Sequence, residues 1–185
     1  MKNLLSLVVL AAFILLLNAS GSAEEKTANK YVGVKTCSMC HKTEKSGNQF
    51  GIWQKSKHAD AFNVLKTPKA AEVAKAKGVK GPASEATACL ECHTITADAK
   101  SVDKTFDVSD GVQCESCHGP GSAYKSMATM KDHAKAVAAG LTDFKDDSTK
   151  EKACKTCHNE KSPTYKPFKF NDEWAKIKHM RPKKT

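Results

Sequence analysis

Cys37-Ser38-Met39-Cys40-His41, Cys89-Leu90-Glu91-Cys92-His93, Cys114-Glu115-Ser116-Cys117-His118 and Cys154-Lys155-Thr156-Cys157-His158 are four copies of one phrase, Cys-x-x-Cys-His, and they use all 8 cysteines of the chain. Two thiols three positions apart can form thioethers with the two vinyl groups along one edge of a porphyrin. The histidine that follows then reaches the iron from the same face. A single Cys-x-x-Cys would equally suit half a zinc site or a redox dithiol. Four copies, each followed by histidine and leaving no thiol over, point instead to four covalently bound haem c groups. Cys37, Cys40, Cys89, Cys92, Cys114, Cys117, Cys154 and Cys157 are the expected attachment points, and His41, His93, His118 and His158 the proximal iron ligands.

Residues 1–23 read as a signal peptide: Lys2, an apolar run from Leu4 to Leu17, and Gly21-x-Ala23 ahead of Glu24 and Glu25. The run is short for a membrane span, with an uncleaved anchor as the alternative. An exported, periplasmic protein with no membrane span after cleavage is expected, and export agrees with haem attachment outside the cytoplasm. Lys+Arg number 30 against 20 Asp+Glu. Residues 1–23 hold one Lys and no acid, so 29 bases face 20 acids after cleavage, a net charge of +9. Each ferric haem with both propionates ionised adds about one negative charge, which brings the assembled protein to roughly +5. Arg181 is the single arginine, so the excess is diffuse lysine charge suited to transient docking with acidic redox partners. No nucleic-acid-binding module is recognisable.

The gaps between successive first cysteines are 52, 25 and 40 residues, too irregular for a solenoid and too short for a domain per haem. Residues 24–185 are therefore expected to form a single tetrahaem cytochrome c domain. Its expected class is mainly α: a compact multihaem cytochrome with short helices, haem-wrapping loops and little or no sheet. Aromatic residues are only 6% of the chain, so haem must supply much of the core. Helical patterns run over 53–65, with His58, Ala61, Phe62 and Leu65 on one face, over 69–77, and over 123–139, with Met130, His133, Ala134 and Val137 on one face. Gly78 to Pro82 and Pro163 to Phe170 read as loops, and Thr105 to Val108 as a short extended stretch. Ser148-x-x-Glu151 reads as a capping box, and Asn171 as the cap of a last helix holding Trp174, Ile177 and His179.

Outside the phrases the only histidines are His58, His133 and His179. A histidine on an apolar helix face is ordinarily a packing residue. Here four irons need sixth ligands, and all three are expected as distal ligands, which leaves one iron without a histidine. Met39, Met127, Met130 and Met180 could fill that position, but each has another reading in its helix or beside a histidine. An open iron is expected.

Gly111-Val112-Gln113-Cys114-Glu115-Ser116-Cys117-His118-Gly119-Pro120-Gly121, with Trp53 five residues before His58-Ala59, resembles the tetrahaem cytochrome c-554 family of ammonia-oxidising bacteria. The resemblance implies closely paired haems on a helical scaffold, three bis-histidine irons and one five-coordinate iron, and transport of electrons away from hydroxylamine oxidoreductase. It further implies that His133 serves the first haem with His41, His179 the third with His118, and His58 the fourth with His158. The second haem, on Cys89, Cys92 and His93, would be open, and a small ligand such as nitric oxide could bind there. Tyr165-Lys166-Pro167-Phe168 resembles the segment that covers the open haem, with Lys166 a departure. The chain is also shorter between its third and fourth motifs and at its C-terminus. Electron transfer without catalysis is the expected function. A small-molecule redox enzyme at the open haem, for example in nitric oxide reduction, is one alternative. A subunit of an extracellular haem filament is another, although that would call for eight histidines and the chain has 7.

Overall fold

The computed structural model describes residues 28–180, so the expected signal segment and its cleavage point lie outside the described residues. Within them ten α-helices of four to nine residues follow one another. They are α1 (Val34–His41), α2 (Gln49–Gln54), α3 (Ala61–Val64), α4 (Pro68–Ala76), α5 (Thr87–His93), α6 (Cys114–His118), α7 (Met127–Met130), α8 (His133–Ala138), α9 (Asp147–Cys154) and α10 (Phe170–Ile177). Three 3-10 turns, Glu44–Ser46, Ala83–Glu85 and Val108–Asp110, lie between them. The β-structure among the described residues is an isolated parallel bridge between Tyr31 and Val102. The mainly α class is what the sequence led one to expect.

Each phrase folds as a helical turn. The first closes α1, the second closes α5 and the third is α6 itself. In the fourth, Cys154 ends α9 and the turn carries on, with His158 N–H donating to Cys154 O at 3.0 Å. Two cysteines and a histidine at i, i+3 and i+4 share one helix face, so one turn presents the whole donor set in a single direction.

The polypeptide core is small. Leu65, Ala74 and Ala83 form one cluster, with Ala70, Val79, Cys89 and Leu90 packed around it. A second buried region is polar at its centre. There Glu115 and Gln113, each 2% exposed, lie with Val32, Val34 and Tyr124. The Glu115 carboxylate accepts from Val32 N–H at 2.9 and 3.0 Å, from Gly33 N–H at 2.7 Å and from Gly121 N–H at 2.6 Å. Gln113 accepts from Val34 N–H at 2.9 Å and donates to Asp107 O at 2.7 Å. These bonds tie the strand of chain entering the first motif onto the third, and α1 packs against α6.

Several expected elements differ. The 53–65 pattern is two helices, α2 and α3, separated by turns that hold His58. Ser56 stops the first: its hydroxyl donates to Trp53 O at 2.7 Å and accepts from His58 N–H at 3.2 Å, in competition with the helical ladder. The 123–139 pattern likewise divides into α7 and α8, because Asp132 takes an extended conformation and caps α8 by accepting from Lys135 N–H at 3.1 Å. Thr105 to Val108 runs through turns, with Thr105 Oγ1 donating to Val32 O at 2.8 Å. The capping box of α9 is Asp146 with Thr149, ahead of the Ser148–Glu151 pair, and Glu151 instead pairs with Lys155 at 2.6 Å. Asn171 lies in the first turn of α10, whose N-cap is Lys169, and His179 follows the helix end at Lys178. The 69–77 helix and the Gly78–Pro82 loop agree with expectation. Pro68 occupies the first turn of α4, and Thr67 caps it by accepting from Ala70 N–H.

Candidate functional site

The imidazoles fall into two close pairs. His58 faces His158 with ring centroids 6.1 Å apart, and His118 faces His179 at 5.8 Å. Two imidazoles on opposite sides of one metal, each bonded at about 2 Å, have centroids roughly 6 Å apart, so both pairs fit an iron between them. Burial drives the basicity of these rings down. His118 is pushed down to about 4 by burial, then by His179 and His41, and His58 is lowered by burial and His158. His179 is lowered by burial and His41, and His158 by burial. Neutral imidazole is the form that ligates a metal, so the setting favours the required state.

His58 is positioned by a clamp on Val112. Trp53 Nε1–H donates to Val112 O at 2.8 Å, and Val112 N–H donates to His58 O at 3.0 Å. Gly111, at φ 72, completes it, since a Cβ there would lie 2.6 Å from His58 O. His93 Nδ1–H donates to Ala61 O at 2.7 Å, which fixes the tautomer with Nε2 as the free donor atom. His41 Nδ1–H donates to Gln49 Oε1 at 3.2 Å, and Gln49 Nε2 donates to Met180 O at 2.8 Å. Gln49 thereby holds the segment after His179 beside the first motif. His133 stands apart from these pairs. Its side chain is 47% exposed, and Nε2 contacts Asp143 Oδ1 at 3.2 Å, which leaves Nδ1 as its free nitrogen. Phe168, expected over the second haem, stacks on His158 of the fourth motif at 4.8 Å and 23°.

The thiols also meet across motifs. Cys37 lies beside Cys114, and that neighbour followed by burial raises Cys37 well above an ordinary thiol. Cys92 faces Cys157 and is pushed up to about 11, by burial first. Cys117 is pushed up to about 11 by burial and by Cys154 and Cys157, and burial raises Cys154. The raised thiols are poor redox nucleophiles, whereas Cys114 is lowered by its contact with Cys37. Among the described residues no three His, Cys, Asp or Glu side chains converge as ligands for a bare metal ion. Thiols at helical i, i+3 spacing beside opposed imidazoles instead match the donors of covalent haem.

The family described as cytochrome c554 and c-prime matches residues 36–119, which contain the first three motifs and the Gly111–Gly119 stretch. Cytochrome c-554 of Nitrosomonas europaea is 31% identical over 140 residues, 69% of this chain and 57% of that protein. The chain belongs to the cytochrome c554 family. Membership makes it a c-type cytochrome, a protein with covalently bound haem c. The chain spans just over half the length of its curated relative. No solved structure matches it.

Sequence reasoning missed Gln49, Glu115, Gln113 and Asp143. Glu115 and Gln113 sit in and beside a motif whose intervening positions carry no required chemistry, although an acid next to Gly119-Pro120-Gly121 and its free backbone N–H groups is a signal of sorts. For Gln49 and Asp143 the sequence holds no signal.

Proposed function

We propose that the protein is an exported tetrahaem electron carrier, with three bis-histidine irons and one open iron, that exchanges electrons transiently with acidic redox proteins. The observation that carries this reading is the 6.1 and 5.8 Å separation of His58 from His158 and of His118 from His179. Those are the pairings the family resemblance implied for the fourth and third haems. The first haem is assigned His41 and His133, the latter through Nδ1 because Asp143 engages Nε2. His93, whose oriented Nε2 has no partner histidine left in the chain, holds the second haem with an open sixth position.

The residues would attach four haems through eight thioethers, and haem supplies one-electron chemistry at iron. The proximity of Cys37 to Cys114, of Cys92 to Cys157, and of Cys117 to Cys154 and Cys157 supports a spatial order first–third–fourth–second. Neighbouring thiols place neighbouring porphyrin edges close, which is what rapid transfer between centres needs. Among the described residues no helix is long and apolar enough to cross a membrane. Cleavage after Ala23 and delivery to the periplasm complete the proposal, and the lysine excess supports acidic partners. With Phe168 stacked on His158, no observation favours catalysis at the second haem. Mass spectrometry of the exported protein tests the reading: residues 24–185 plus four haem masses are expected, and free thiols or bound zinc would overturn it.

A further inference from the structure

Asp110 closes the 3-10 turn Val108–Asp110, in the segment 107–113 that adjoins chain from the first three motifs and the turn that holds His58. Val112 holds the carbonyl of His58 and the indole of Trp53, and Val108 O accepts from Thr94 Oγ1, beside His93, at 3.0 Å. Gln113 holds Val34 N–H, three residues ahead of Cys37, and the segment itself runs into Cys114. In the middle of this hub, Asp110 Oδ2 is shielded from solvent and has no hydrogen-bond partner among the described residues. A buried carboxylate oxygen without a donor is costly unless the group takes a proton.

The groups around it act in opposite directions. Burial raises Asp110, Lys35 on α1 opposes the rise, and Asp107 on its own turn adds to it. Lys35 divides its charge with Asp107, 3.6 Å away. Helix α3, packed against the turn, offers only Ala61, Phe62, Asn63 and Val64, none of them ionisable.

We propose that Asp110 is a proton-accepting carboxyl coupled to haem reduction: when an adjoining haem gains an electron, Asp110 gains a proton from solvent. The electron comes from the donor protein and converts one ferric iron to ferrous. The proton adds to the carboxylate, so no other bond forms or breaks and the added negative charge is neutralised locally. The inference rests on the electron-carrier reading, and haem mass and spin count on the same preparations report on that reading separately.

The sign follows from linkage. Reduction raises the proton affinity of Asp110, so between its oxidised-state and reduced-state pKa values each electron brings in a proton, and the midpoint potential falls as pH rises. Spectroelectrochemical titration of the four-haem protein across pH should show such a falling segment. Asp110→Asn should flatten it and leave the potential above the alkaline wild-type value, because no carboxylate then opposes reduction. Lys35→Met should displace the segment to higher pH. Reduced-minus-oxidised infrared spectra should gain a carboxylic acid carbonyl band in wild type that Asp110→Asn lacks. Equal pH slopes in wild type and Asp110→Asn, or no carboxylic acid band on reduction, would overturn the proposal. If Asp110→Asn fails to mature, the wild-type infrared band and the direction of the Lys35→Met displacement decide it.

Discussion

Replacing Gly111 by Ala should remove one low-spin haem without removing a haem. Gly111 sits at φ 72 and ψ −141, a region that costs a residue with a Cβ about 1–3 kcal/mol. The added carbon would lie 2.6 Å from His58 O and 3.1 Å from Ala59 O, both backbone atoms that cannot swing aside as a side chain end would. Relief requires moving the His58 turn, and that stretches the 3.0 Å bond from Val112 N–H, worth about 1 kcal/mol. The combined cost is about 2–4 kcal/mol, concentrated on the residue that faces His158. Denaturant unfolding should record a loss of that size. Electron paramagnetic resonance of the oxidised variant should show one low-spin centre converted to high spin while the mass still includes four haems. An unchanged spin count with stability within about 0.5 kcal/mol of wild type would refute the reasoning, since additive surface changes stay inside that range.

Two further outcomes follow from other parts of the molecule. Glu115→Gln turns an amide N–H₂ toward backbone donors that now share a carboxylate, so unfolding midpoints should reveal a loss of about 3 kcal/mol, with the 30–34 segment losing hydrogen-exchange protection first. Electron-exchange rates with an acidic redox protein should fall steeply with ionic strength, because exposed lysines lose their reach beyond a Debye length of about 8 Å at physiological salt; a rate indifferent to salt would make the basic surface merely solubilising.

The motifs were legible because their chemistry is local: thioether spacing and the adjacent histidine are fixed within one helical turn, whatever the surrounding fold. The helical class was legible for the same reason, since each motif carries its own turn. Where one pattern became two helices, a single polar side chain decided the matter. Ser56 diverted the ladder at Trp53, and Asp132 capped a new helix in the middle of the 123–139 stripe. Periodicity counts apolar faces and does not weigh such competition. The placement of His58 opposite His158 spans 100 residues of chain and was suggested by family likeness rather than by spacing. Glu115 escaped because its role lies in backbone N–H groups of Val32 and Gly33, far away in sequence and invisible in residue type.

Electron paramagnetic resonance of the oxidised protein counts its spin states and so reads out whether three irons are closed by paired imidazoles and one is left open. Three low-spin centres and one high-spin centre per chain are expected, with the high-spin centre the one that binds carbon monoxide once reduced. Four low-spin centres, or a high-spin centre that survives while replacement of His58 or His179 converts nothing, would contradict that ligation.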